Sequence, residues 1–139
     1  VRGSTGVELK NVRQAARVAG HIQKFLLTIQ EHTMFSIGFV MKIKPDCYEK
    51  YKEAHDNLWP GVAESMSENN INMVTFKFGE DLILHATAPS EKDWDCSREH
   101  PALPDWQKAM TELLQSDEQG NVIFQPLEVA FEFGEFINT

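Results

Sequence analysis

The chain has 139 residues, thirteen Lys and Arg against twenty-one Asp and Glu, and a formal net charge of −8. That length suits one domain whose core stands without disulfides or metals, and the excess of acid argues against a surface built for nucleic-acid phosphates. No apolar run is long enough to span a bilayer. The two cysteines, Cys47 and Cys96, read as free thiols in a reducing, cytoplasmic setting.

The charge is unevenly spread. Residues 1–33 carry five basic and two acidic residues, net +3, and residues 34–139 carry eight basic and nineteen acidic ones, net −11. Within the basic segment Val12, Ala15, Ala16, Ala19, Ile22, Leu26 and Ile29 recur at helical spacing. One amphipathic helix is expected from about Asn11, its cap, to Glu31. Residues 1–33 thus form an N-terminal leader, readable as a targeting peptide, as an appended helix, or as cloning-derived sequence upstream of a start at Met34. A non-catalytic appendage is the expectation. His21 and His32 belong to it and read as surface residues.

From Met34 the pattern changes to alternation. Phe35, Ile37, Phe39, Met41 and Ile43 share one face of an expected strand. Pro45 and Asp46 open a helix, with Asp46 as cap and Glu49 at the capping-box position. Tyr51, His55, Leu58, Val62 and Met66 make its buried face, and Glu68-Asn-Asn70 ends it. Two strands follow, Ile71–Phe78 and Leu82–Thr87, joined at Gly79-Glu-Asp81. Ser90 starts a second helical region, from Glu91 to about Leu114, interrupted around Pro101 and Pro104. After a polar loop, Ser116–Asn121, a last strand runs over Val122–Phe136, where Leu127, Val129, Phe131 and Phe133 alternate with other residues.

The order β-α-β-β-α-β predicts an α+β fold of the ferredoxin-like, split βαβ kind, with both helices on one sheet face. The other face is left bare. Apolar residues there, such as Ile83 or the odd-numbered face of the first strand, would be covered by pairing two sheets in a homodimer.

Tyr51 and His55 are i and i+4 on one helix, so a phenol and an imidazole project side by side. Such a pair can orient a hydroxylated ligand and exchange its protons; it can equally be a core histidine bonded to its neighbour. Cys96 and His100 share the same spacing, which offers two metal ligands from one helix, but no second pair supports them and no metal is expected. His85 reads as structural or as part of a dimer interface, Trp94 as core, and the run Glu91-Lys-Asp-Trp-Asp95 as a solvated helix start.

The run Phe39-Val-Met, Ile43, Pro45-Asp46, Tyr51, His55 and Trp59-Pro60, with its gaps, resembles the opening of the L-rhamnose mutarotase family. Asp105-Trp106, Met110 and Pro126-Leu127 extend the likeness over about residues 34–136. The resemblance implies a homodimeric α/β barrel that interconverts the α and β anomers of a free monosaccharide without a cofactor. It implies His55 as the proton donor, Tyr51 as a substrate-binding residue, and Trp106 as the second member of a sugar-contacting tryptophan pair. Asp105 stands where the first member is expected. Val74 stands where a second substrate tyrosine is expected, with Met73 beside it. In Leu127-Glu-Val-Ala-Phe131 the family's carboxylate is displaced by one residue, which in a strand turns it to the opposite face.

The chemistry suits these residues. Opening a pyranose protonates the ring oxygen while the anomeric hydroxyl loses its proton, and a group titrating near neutrality serves both directions. An indole face suits the C–H side of a sugar ring. Two other readings of such a barrel are a haem- or quinol-handling monooxygenase and a non-catalytic ligand-binding or assembly module.

Overall fold

The periodicity of the basic segment produces a helix, α1, over residues 11–22 of a computed structural model that describes residues 11–22 and 34–137. Every α1 residue is exposed. Asn11 is already helical and so does not cap it, and the rest of the expected helix, residues 23–31, lies outside the described residues with His32. Val1–Thr33 and Met34–Thr139 are separate compact units.

In the second unit, alternation makes strand β1, Phe35–Lys42. Two helices follow where one was expected, α2 (Tyr48–Asp56) and α3 (Pro60–Ser67). Pro60 is the cause: it has no N–H to continue a helix, but it fits the first turn of a new one. Asp46 does not cap α2. It takes a left-handed φ of 60° in the turn before, and Cys47 stands at the cap with no side-chain hydrogen bond. Asn70, at φ 53°, stops the chain after α3 and turns it into β2, Asn72–Phe78. Gly79, at φ 60°, makes the tight turn to β3, Asp81–Ala88.

The second helical region divides at its prolines into α4 (Glu91–Arg98) and α5 (Leu103–Thr111). Ser90 caps α4, its hydroxyl accepting from Asp93 N at 3.1 Å. The i, i+4 premise for Cys96 and His100 therefore fails, because α4 ends at Arg98 and His100 lies beyond it.

The sheet is antiparallel with the order β2-β3-β1-β4. This is the α+β, ferredoxin-like arrangement expected from the element order. Register assigns the faces. Met41 stands opposite Leu82, and both are buried in a core with Tyr51, Val62, Trp106 and Met110. A second cluster joins Ala86, Ala88 and Trp94 to Phe35, Ile37 and Phe39. The odd-numbered face of β1 is thus the helix-covered one, which corrects the expectation that it is bare. The bare face carries Val40, Ile83 and Phe76 in one row and Gly38, His85 and Val74 in the next. Phe76 and Phe78 are 60% and 76% exposed.

The last strand is far shorter than Val122–Phe136. Only Gln125–Pro126, β4, pairs with Phe39–Val40, and Leu127 N donates to Gly38 O at 2.9 Å. Val122 instead bridges to Ser116. Alternation marks residues able to form a strand, but pairing needs a facing backbone, and among the described residues the ladder on this segment ends at Pro126, with the Leu127 bond beyond it. Leu127, Val129, Phe131 and Phe133 stay exposed.

Candidate active site

Tyr51, His55 and Trp106 line one cavity of about 660 Å³ beneath the helices. Helix α2 brings the first two together, one turn apart, with ring centroids 4.0 Å from each other and planes 31° apart. Helix α5 brings Trp106 edge-on to the imidazole at 5.1 Å, and Trp59, on the segment between α2 and α3, meets Trp106 edge-on at 5.2 Å. Tyr51 and Trp106 are buried and His55 is half-buried.

His55 Nδ1 lies 2.8 Å from the Tyr51 carbonyl oxygen. A carbonyl only accepts, so Nδ1 carries the proton and Nε2 is left with its lone pair in the neutral ring. Burial holds the imidazole below its ordinary pKa; the Tyr51 carbonyl and Asp56 oppose that shift. Burial pushes the Tyr51 phenol up, with Thr75 beside its hydroxyl pulling the other way. Near neutral pH the site therefore offers a free imidazole base beside a protonated phenol.

Other lining residues carry no sequence signal of their own. Thr75 and Lys77 come from β2, Tyr48 and Lys52 from α2, Gln107 from α5 and Arg98 from α4. Lys52 is tied to Asp56 at 2.6 Å and Lys77 lies over the Tyr48 ring at 4.9 Å. A helical wheel of α2 places Tyr48 and Lys52 near Tyr51, but Arg98 and Thr75 meet them only through the tertiary fold. Asp105 is exposed and outside the cavity lining. Val74 is on the opposite sheet face, whereas Met73 lines the cavity. Glu128 lines a separate groove of about 740 Å³ on the bare face, with Gly38, His85, Leu127 and Phe131. There His85 Nε2 and Ser36 Oγ are hydrogen-bonded at 2.8 Å.

The described residues include one group of metal-capable side chains, Glu64, Glu68 and His100, on the surface. Ala102 N donates to His100 Nδ1 at 3.1 Å, so the neutral ring carries its proton on Nε2, which faces Glu64 at 3.5 Å. Carrying that proton, Nε2 offers no lone pair to an ion. No helix among the described residues is long and apolar enough to cross a membrane.

Residues 36–133 match the family model of L-rhamnose mutarotase. Relatives include the L-rhamnose mutarotases of Mannheimia succiniciproducens, 25% identical over 70% of this chain and 97% of that one, and of Bacillus subtilis, 25% identical over 65% and 86%. The crystal structure of L-rhamnose mutarotase from Formosa agariphila superposes with a TM-score of 0.61 at 20% identity, covering 71% of this chain and 98% of that chain.

Proposed function

The chain belongs to the L-rhamnose mutarotase family, and from that premise we propose that it interconverts the anomers of a monosaccharide by acid/base catalysis at His55. The observation that carries this reading is the Nδ1–H bond to the Tyr51 carbonyl, which aims a basic Nε2 away from its own helix while Trp106 stands against the ring edge. Nε2 takes the proton of the anomeric hydroxyl as the C1–O5 bond breaks. The imidazolium so formed gives that proton to the ring oxygen. Rotation about C1–C2 and reversal of the steps close the ring on either face, so no net proton is gained or lost. Tyr51, kept protonated by its burial, donates to a sugar hydroxyl, and Trp106 packs on the C–H side of the ring.

Homodimerisation belongs to the same proposal. The exposed Val74, Phe76 and Phe78, with Leu127, Val129, Phe131 and Phe133, offer apolar surface that a second sheet would cover. Asp105 and Val74, the departures on which the reading as a non-catalytic module would rest, are outside the cavity lining.

Exchange NMR on a panel of hexoses and deoxyhexoses tests the assignment. Anomer exchange should accelerate for at least one sugar, and His55→Ala should remove the acceleration. No acceleration for any sugar ends the mutarotase reading, and full activity in His55→Ala ends the role of His55.

A further inference from the structure

The cavity includes a cation that this chemistry does not use. Arg98, in the last turn of α4, lines it with His55 and Trp106. Its guanidinium carbon lies 4.6 Å from the centroid of the Trp94 ring, and Nε is 3.2 Å from Ser97 Oγ. Ser97 is fully buried and its own hydroxyl donates to Trp94 O at 2.6 Å. Stem and Nε are thus held in place. Among the described residues the two terminal amino groups have no acceptor, and no ion pair includes Arg98. No buried side-chain nitrogen in the described residues lacks a partner, so these amino groups are solvent-accessible, on a side chain that lines the cavity. Burial holds the guanidinium below its ordinary pKa.

Strand β2 orders the site. Lys77 lies under Tyr48 and Thr75 beside Tyr51, so α2 runs antiparallel to β2, and its next turn carries His55 toward Met73. Two residues further back, Ile71 packs against the cluster that contains Trp94, on which Arg98 rests. Ile71 and Met73 line the same cavity as His55 and Arg98, so the imidazole and the guanidinium share one pocket.

We propose that Arg98 binds a carboxylate or phosphate group carried by the sugar at the end remote from its anomeric carbon. This rests on the mutarotase reading of the cavity and narrows its substrate class to acidic or phosphorylated monosaccharides with a free anomeric centre. The planar fork grips two oxygens of either anion at once, a geometry lysine lacks. Anchoring the far end sets C1 beside His55 Nε2.

The test is ligand-observed saturation-transfer NMR on matched trios: a hexose, its uronate and its 6-phosphate, in the gluco, galacto and manno series. Wild-type protein should bind at least one anionic member tenfold or more tighter than its neutral parent, and the preferred anion separates carboxylate from phosphate. Arg98→Ala should remove that preference by weakening the anionic sugar at least tenfold more than its neutral parent, and Arg98→Lys should restore part of it. Equal affinity for neutral and anionic sugars, binding of none, or an equal loss for both in Arg98→Ala overturns the inference. Anomer exchange read in the same samples separates the two ideas. Anion-selective binding without exchange overturns the mutarotase reading alone, and exchange confined to neutral sugars overturns the anion site alone.

Discussion

His55 shows how one hydrogen bond and partial burial set a residue's chemistry. The Tyr51 carbonyl selects the tautomer, and burial selects the neutral form. Because the imidazole is held below its ordinary pKa, activity that needs the free base should persist to a lower pH than an exposed histidine would allow; a pH profile of exchange rate checks this. The same shift is a stability statement. The unfolded chain binds the His55 proton first on acidification, so this contribution is intact above the ordinary histidine pKa and is lost as pH falls through the depressed folded value. One such group gives at most about a tenfold change in the unfolding constant per pH unit, and denaturant melts of wild type and His55→Gln should differ by that slope. Tyr51→Phe keeps the ring stack and removes the hydroxyl. It should raise KM several-fold with a smaller effect on kcat, because the phenol is assigned to binding and not to proton transfer.

At the scale of elements, the prolines and one glycine decide how the helices meet. Pro60 restarts the chain as α3, and a Cβ on Gly61 would fall 2.5 Å from the Ala102 Cβ at the start of α5. Ala102 has no flexible end to move aside, so Gly61→Ala should destabilise the fold by about 1–3 kcal/mol and disturb the Trp59–Trp106 contact, which tryptophan fluorescence would report during thermal melts. Loss of the α4 cap in Ser90→Ala should cost ~1 kcal/mol. The caps show what local pattern can and cannot carry. Ser90 was legible because its partner Asp93 is three residues away. Asp46 was misread because a left-handed turn before Cys47, and not local propensity, fixes the entry to α2.

For the whole molecule, the asymmetry of the sheet is the main feature. One face is covered by four helices, and the other presents Phe76, Phe78, Val74 and the arm after Leu127. The proposed pairing of two such faces predicts a dimer in sedimentation, and Phe76→Glu together with Ile83→Glu should shift it to monomer while the far-UV circular dichroism stays unchanged. Residues 128–131 should gain hydrogen-exchange protection in the dimer, since among the described residues the ladder on this segment ends at Pro126.

The sequence by itself determined the alternation of helical and strand regions, the sheet-facing set of Tyr51, His55, Val62 and Met66, and the juxtaposition of a phenol and an imidazole one turn apart. These follow from periodicity and short-range spacing, which a single strand or helix obeys wherever it is placed. Only the tertiary structure decided which face of β1 is covered, because alternation fixes that two faces differ and not which one meets the helices. It also decided that Met73 and not Val74 faces the cavity, that β4 stops after two residues, and that Arg98 stands on the same cavity as His55. Each of these depends on register or on packing between elements far apart in the chain, and no local pattern encodes such distances.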